Sequence, residues 1–183
     1  PASRLDARSI TVVGLVILAA FTVDAAASSW SAVHLTALGA VAALAPAGFA
    51  AYQGGVLVAR LVTDAALRRF GRARLLALAL VLGVVGGVIV AAVPSPIGAI
   101  VGFAVSGLAV GALVPIAFGL AGAIDPARSD EVIARVNLFN YAGAVLGAVG
   151  VGLLTDVTGS GAAFLLPALL LLAAVPAWRR SAR

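Results

Sequence analysis

Six long apolar runs follow one another along the chain, and short breaks containing glycine, proline or charged residues separate them. A helix needs about 20 mostly apolar residues to cross the hydrocarbon core of a bilayer, which is roughly 30 Å thick. The pattern therefore predicts an all-α integral membrane protein, in which a single domain over residues 1–183 contains six transmembrane helices. The predicted spans are residues 10–33, 44–63, 75–93, 97–122, 132–157 and 162–178.

The composition excludes a water-soluble domain. Of the 183 residues, 63% are hydrophobic and 10% are charged, and the mean hydropathy is +1.17. Soluble domains carry about 25% charged residues, so this chain has too little polar surface to cover a soluble globule. The absence of cysteine excludes disulfides and thiolate metal sites. With one histidine, no pair of acids at membrane depth and no phosphate-binding glycine loop, the sequence predicts no enzyme, no cofactor and no metal site.

All twelve basic residues are arginines, and they fall on one side of the six-span arrangement. They precede the first span, cluster between spans two and three, lie near the start of span five and follow the last span. Short basic loops stay on the cytoplasmic side of a membrane, so both termini and these connections are predicted to be cytoplasmic. The net charge of +5 is spread over small clusters, and nucleic-acid binding is therefore not predicted.

Asp24 is the one ionisable side chain well inside a predicted span. A charged carboxylate at the centre of a membrane helix costs about 2.5–3.5 kcal/mol on insertion scales, and burial favours its neutral form. One interpretation makes Asp24 an acid that couples protons or substrate. The other places it near the outer water, or has it satisfied by Ser28 and Ser31, which share its helix face. The sequence leaves both interpretations open.

Polar side chains also distinguish the spans from one another. Spans one, two and five carry them, whereas spans three and six are almost wholly apolar. Since polar groups at depth face the protein interior or a wet cavity, spans one, two and five are predicted to be inner, and spans three and six peripheral. The candidates for contact with a substrate or coupling ion are Asp24, Ser28, Gln53, Asn137, Asn140 and Tyr141. For Gln53 and the polar residues of span five, hydrogen bonding between helices is the alternative.

Two stripes of glycine run along spans four and five. Gly107 and Gly111 are four residues apart, and Gly143, Gly147 and Gly150 follow a similar helical spacing. Small residues at such intervals let membrane helices approach closely. We therefore predict that both stripes serve helix packing.

The remaining notable side chains lie near the ends of spans. His34, the single histidine, is predicted to be a solvated loop residue near the outer surface. Trp30 and Trp178 are predicted to anchor the protein at the membrane interface, where tryptophan is enriched.

The basic connection between spans two and three reads RLVTDAALRRFGRARLL over residues 60–76. It resembles the signature loop of the major facilitator superfamily, in which an Asp is followed by basic residues and by Gly-Arg before the next helix. Asp64, Gly71 and Arg72 match that pattern. The departures from it are Ala59, Thr63 and Ala65. The segments ASSWSAVHL, LVPIAFGLAG and NYAGAVLGAVGVGLLTDVTG resemble helices seven, ten and eleven of a bacterial branch of the superfamily that is related to sugar permeases.

The resemblance implies that the chain is the carboxyl-terminal six-helix half of a transporter in the cytoplasmic (inner) membrane of a bacterium. Its implied partners are the lipid bilayer, a small-molecule solute and an amino-terminal six-helix half, encoded in the same gene or as a second chain. Span four then corresponds to a helix that lines the cavity. Arg60, Asp64, Gly71 and Arg72 would form a conformational switch loop, for which a role in topology alone is the alternative.

The function implied by the resemblance is secondary active transport of a small solute by alternating access, with the solute bound between two halves near the midplane. Proton coupling through Asp24 is a further expectation. The alternative from another class is a nontransporting membrane subunit or a degenerate half-transporter, which the eroded signature loop would fit.

Overall fold

The computed structural model describes the backbone of residues 6–181 and the side chains of residues 6–175. This described part is helical, with no strand, which confirms the predicted all-α class. Short 3-10 turns at Ala42–Leu44 and Pro126–Arg128 and a π-helical turn at Leu146–Gly150 interrupt the α-helices. The helices are α1 Ala7–Ala37, α2 Ala47–Phe70, α3 Arg72–Ala92, α4 Pro96–Ile124, α5 Ser129–Val145, α6 Val151–Thr158, α7 Ser160–Ala163 and α8 Leu165–Ser181.

These helices form six rods, because α5 continues through the π-turn into α6, and α7 leads directly into α8. Five of the rods are long and apolar enough to cross a membrane, and a shorter apolar helical segment covers Ser160–Val175. Several helices extend beyond the apolar runs. The first continues to Ala37 and the second to Phe70, since polar residues can remain helical once the chain has left the hydrocarbon.

Two of the helices begin at a side-chain cap. Asp6 caps α1 by accepting hydrogen bonds from the backbone N–H groups of Arg8 and Ser9, at 3.1 and 3.3 Å. Ser95 caps α4 in the same way through the N–H of Gly98. At the α2–α3 connection, Gly71 has a φ of +78°. A side chain would disfavour that conformation, so glycine allows the chain to turn within one residue.

The contacts between helices show that successive rods run in opposite directions. On α3 and α4, Gly86 lies against Ser106 and Gly102 against Val90, so these helices are antiparallel. On α2 and α4, by contrast, the contact positions rise together, as they do on α1 and α5. One end of the bundle therefore holds the α2–α3 and α4–α5 connections, and we call it the basic end. The opposite end, with the α1–α2, α3–α4 and α6–α7 connections, is the far end.

Helices α1 and α4 occupy the centre of the bundle. α4 packs against α1, α2 and α3, and α1 packs against α4, α5 and α8. The sequence did not predict whether α4 is an inner or a peripheral helix, because Ser106 is its one polar side chain. α2 and the α5–α6 rod each bury a small part of their surface within the described part of the chain, so each presents a long open face.

The two glycine stripes make the closest contacts between helices. A methyl group added to Gly107 would overlap the carbonyl oxygen of Tyr52 on α2, and one on Gly143 would overlap that of Leu18 on α1. Gly147 lies equally close to the carbonyl oxygen of Thr22. The predicted packing role is thus confirmed for both stripes, since only a residue without a side chain permits backbones to approach so closely.

His34 lies in a buried cluster at the far end. It is 2% exposed, because α1 continues past the predicted end of the span and turns the ring inward. The prediction of a solvated loop residue is therefore wrong. Its Nε2 lies 3.2 Å from the carbonyl oxygen of Val90, and its Nδ1 lies 3.0 Å from the Ser160 hydroxyl. The ring centroid of Phe164 is 5.2 Å away.

These contacts fix the tautomer of His34. The Val90 carbonyl belongs to the last turn of α3, where it has no partner within the helix, and it can only accept a hydrogen bond. Nε2 must therefore carry the proton, and Nδ1 accepts from the hydroxyl of Ser160. One imidazole thereby joins α1, α3 and α7.

The glycine packing predicts a position-dependent effect of alanine on α4. Gly107→Ala is expected to lower the free energy of unfolding by about 1–3 kcal/mol, because the methyl group overlaps the α2 backbone. Gly119→Ala is the matched control on the same helix, since a methyl group there meets nothing within 4 Å. Thermal unfolding of the protein in detergent micelles measures both, and an equal loss in the two variants would contradict the packing.

Candidate functional site

Asp24 and Tyr52 form a polar pair between α1 and α2. The phenol of Tyr52 donates a hydrogen bond of 2.8 Å to Oδ1 of Asp24. Tyr52 is fully buried and Asp24 is half-buried. The second carboxylate oxygen, Oδ2, forms no hydrogen bond with the described residues. The pair thus fixes one oxygen of Asp24 and leaves the other open to a proton, water or solute.

Two neighbours hold Tyr52 in place. Its backbone packs against Gly107 of α4, where no side chain stands between the helices. Its ring stacks on Phe49, with ring centroids 6.2 Å apart and an angle of 15° between the planes. The position of the phenol is therefore set by the α2–α4 contact, and through it the orientation of Asp24.

The serines near Asp24 do not satisfy it. Ser28 donates its hydroxyl to the carbonyl oxygen of Ala25, at 3.1 Å. No hydrogen bond joins Ser31 to Asp24 within the described part of the chain, although Ser31 is buried. The interpretation in which local serines satisfy Asp24 is therefore wrong, because the partner comes from the next helix.

The polar residues of α5 differ in burial. The packing face of α5 consists of Val136, Phe139 and Gly143, and it packs against α1, where the ring of Phe139 covers Gly14. Of the predicted candidates, Asn137 and Asn140 are half-buried, and Tyr141 is 67% exposed. None of the three forms a hydrogen bond with any described residue. Hydrogen bonding within this half therefore does not account for them, and the structure does not join them to Asp24.

Gln53 on α2 is another predicted candidate without a hydrogen-bond partner. It follows Tyr52 in the sequence, but its side chain is exposed whereas that of Tyr52 is buried. It also lacks a hydrogen-bond partner in the described part of the chain. The open faces of α2 and α5 thus each carry polar groups that this half leaves unsatisfied.

The residues of the predicted switch loop lie at the basic end. Arg60 and Asp64, one turn apart on α2, border an open groove with Val114 and Pro115 of α4. Asp64 and Arg72 are both exposed and form no salt bridge with each other in this conformation. Neither group has an ion-pair partner in the described part of the chain, so both are available to other partners.

The ion pairs in the described part of the chain are local and lie in and after the α4–α5 connection. Arg128 donates to Asp125 at 2.8 Å, and Arg135 donates to Glu131 at 2.6 Å. The guanidinium of Arg128 holds the pKa of the Asp125 carboxyl below its ordinary value. These pairs fix the connection and do not extend to the Asp24–Tyr52 pair.

Comparison with known proteins relates this arrangement to transporters. No family model matches the chain. It is 28% identical over 164 residues to an uncharacterized MFS-type transporter of Yersinia pestis, a match that covers 89% of this chain and 43% of the relative. It is 30% identical over 149 residues to the uncharacterized transporter y4wD of Sinorhizobium fredii, covering 79% of this chain and 39% of that protein.

The comparison of folds agrees with the comparison of sequences. The POT family transporter PepTSo superposes with a TM-score of 0.82 at 17% identity, over 93% of this chain and 36% of that one. In sequence and in fold, the chain resembles one half of a major facilitator superfamily transporter. The predicted resemblance is confirmed, and the chain spans about two fifths of the length of the curated relatives it matches.

Two residues make contacts that the sequence did not reveal. The predicted candidate on α2 is Gln53, whereas the residue that contacts Asp24 is its neighbour Tyr52. A buried tyrosine hydroxyl usually finds a hydrogen-bond partner, and that rule alone could have drawn attention to Asp24.

Trp30 was expected at the membrane interface. The structure adds that Trp30 is half-buried and that its indole N–H donates to the carbonyl oxygen of Ala148, in the π-turn of the α5–α6 rod, at 2.8 Å. The predicted interface role of Trp178 falls outside the described side chains.

The polar pair predicts energetic coupling between α1 and α2. In a double-mutant cycle of Asp24→Ala and Tyr52→Phe, we expect an interaction energy of about 1–2 kcal/mol, because either change alone removes the same hydrogen bond. Unfolding of the protein in mixed micelles supplies the four free energies. Tyr141→Phe combined with Asp24→Ala is the control and should be additive. Additivity for Tyr52→Phe as well would show that the pair contributes nothing.

Proposed function

We propose that the chain is the carboxyl-terminal half of a secondary transporter that moves a small solute across the cytoplasmic membrane of a bacterium by alternating access. The relatives named as transporters and the fold support transport, and the likeness of spans one, four and five to helices seven, ten and eleven supports the carboxyl-terminal position. A second half, from the same gene or another chain, completes the solute site, which lies near the midplane in such folds.

The unsatisfied polar groups carry this proposal. Tyr141 on α5 and Gln53 on α2 are exposed, Asn137 and Asn140 on α5 are half-buried, and none of the four has a hydrogen-bond partner among the described residues. An amide group in contact with lipid would lose its hydrogen bonds to water without replacement. These groups therefore require either a water-filled cavity or polar groups of the other half. Both requirements are met where two halves enclose a solute path.

Asp24 gives the proposed transporter a means of coupling to protons. Tyr52 can keep its hydrogen bond to Oδ1 whether or not the carboxyl group is charged, while a proton binds or leaves at Oδ2. The buried phenol thus holds the acid in one orientation through the cycle. Solute binding beside Oδ2 would then favour one protonation state, which is the differential interaction that coupling requires.

The orientation follows from the arginines. The basic end holds Arg8 and the connections near Arg72 and Arg128. Because short basic connections stay in the cytoplasm, we infer that this end and both termini face the cytoplasm, and that the His34 cluster faces outward.

The switch loop is proposed to act at the cytoplasmic surface. Asp64 and Arg72 are exposed and unpaired with each other here, and Arg60 borders the same groove as Asp64. We infer that these groups form charge contacts with the other half in one state and lose them as the halves rock. Gly71 allows the sharp turn that brings Arg72 to the start of α3.

The coupling role of Asp24 predicts a selective loss. The transporter containing this half is reconstituted in liposomes, and uptake of a neutral sugar, a dipeptide and a lipophilic cation is measured with and without a proton gradient. For any solute that wild type accumulates, Asp24→Asn is expected to abolish accumulation driven by the gradient while retaining exchange at equal concentrations. Asp156→Asn, an exposed acid near the far end of α6, is the matched control and should accumulate solute as wild type does.

Gradient-driven accumulation that survives Asp24→Asn would remove the coupling role and leave transport intact. If folded wild-type protein moves none of the three solutes, the nontransporting subunit becomes the better account.

A further inference from the structure

An apolar groove lies between α2 and α3 towards the basic end. The two helices are joined at Gly71 but make few contacts with each other, because both pack on α4. The space between them has a volume of about 210 Å³. Its sides include Val62 and Phe70 of α2 and Leu78 and Leu82 of α3, and Leu108 of α4 forms the floor.

The groove presents hydrocarbon and almost no polar atoms. Thr63 is the one polar side chain of its lining, and its hydroxyl donates to the carbonyl oxygen of Ala59 at 2.6 Å. From Leu75 to Ala92, α3 has no polar side chain, and Leu78 and Val81 are 52% and 55% exposed. A helix of this composition faces lipid, so the groove opens towards acyl chains.

A basic rim closes the groove at the membrane surface. Arg68 and Arg69 end α2, and Arg72 and Arg74 begin α3. All four are exposed, and none forms an ion pair within the described part of the chain. The nearest acid in the sequence is Asp64, one turn before Arg68, so the four arginines leave the rim with a net positive charge.

The rim and the groove are continuous. Arg74 borders the mouth together with Phe70, Leu75 and Leu78. The guanidinium of Arg69 lies over the ring of Phe70, 5.4 Å from its centroid, and so stands at the wall of the groove. No side chain caps the first turn of α3, so its first backbone N–H groups have no side-chain partner among the described residues.

We propose that this groove binds an anionic phospholipid, with one acyl chain between α2 and α3 and the phosphate held by Arg69, Arg72 and Arg74. Guanidinium groups bind phosphate through two parallel hydrogen bonds, and basic pockets between membrane helices recognise anionic headgroups. The charge of the rim selects an anionic lipid over a zwitterionic one, and the apolar walls select a lipid over free phosphate. The inference requires that the chain lies in a bilayer but does not depend on transport.

The experiment compares lipids that differ in one feature. The transporter containing this half is purified in micelles, and binding of dioleoyl phosphatidylglycerol, dioleoyl phosphatidylcholine and glycerol 3-phosphate is titrated by native mass spectrometry. Phosphatidylglycerol is expected to bind at least tenfold more tightly than phosphatidylcholine, and glycerol 3-phosphate should neither bind measurably nor displace it.

Matched variants locate the site. Arg69→Gln with Arg74→Gln should weaken phosphatidylglycerol binding about tenfold, whereas Arg8→Gln with Arg135→Gln removes two arginines at the same end and should leave it unchanged. Val62→Trp and Leu78→Trp place an indole in the groove and should weaken binding of both phospholipids. Both positions are more than half exposed, so the core is not disturbed.

Equal affinity for the two phospholipids would overturn the proposal, as would an equal effect of the two arginine pairs. Full competition by glycerol 3-phosphate, or unchanged binding in both tryptophan variants, would show that the groove is not occupied by a chain. Solute uptake is not part of the readout, so either result leaves the proposed transport function unaffected.

Discussion

Hydrocarbon offers no hydrogen bonds, and this constraint explains most of what the chain does. Each polar group that enters the bilayer must find a partner within the protein or a pocket of water. The backbone meets the requirement by forming helices, and the hydroxyls of Thr22, Thr63 and Thr155 meet it by donating to carbonyl oxygens one turn earlier. His34 and Trp30 meet it by donating to carbonyl oxygens of other helices.

The way the helices pack within the half also follows from the apolar character of the lipid around them. Since lipid tails are as apolar as leucine, helices gain little by hiding leucine from them, and close backbone contact has to hold the bundle together. The contacts of Gly107 with α2 and of Gly143 with α1 provide it. These contacts occupy the small-residue faces of α4 and α5. The polar faces of α2 and α5 are therefore left to contact groups outside the half. The Asp24–Tyr52 pair stands on this frame, because Gly107 positions the backbone of Tyr52.

The sequence was sufficient for the features that depend on local pattern. The apolar runs gave the helical class, the spacing of Gly143 and Gly147 gave a packing face, and the loop around Gly71 gave the family. Features that depend on which helices contact each other could not be predicted from the sequence. Nothing in the sequence brings Tyr52 of α2 to Asp24 of α1, or Ala148 to Trp30, because those contacts follow from helix arrangement. His34 was misplaced because the predicted span ends at residue 33, whereas the helix continues to Ala37.

The account rests on the claim that the unsatisfied polar face of α5 borders water inside a transporter, whereas α3 borders lipid. The chain has no cysteine, so single cysteines can report on each face, with any cysteines of the other half replaced. Maleimides react with thiols that water reaches, and the most direct measurement is the labelling rate of Asn140→Cys and Val85→Cys in native membranes. The account predicts rapid labelling at residue 140 and little at residue 85, which is 43% exposed on apolar α3. Protection of residue 140, or equal labelling at both positions, would contradict it.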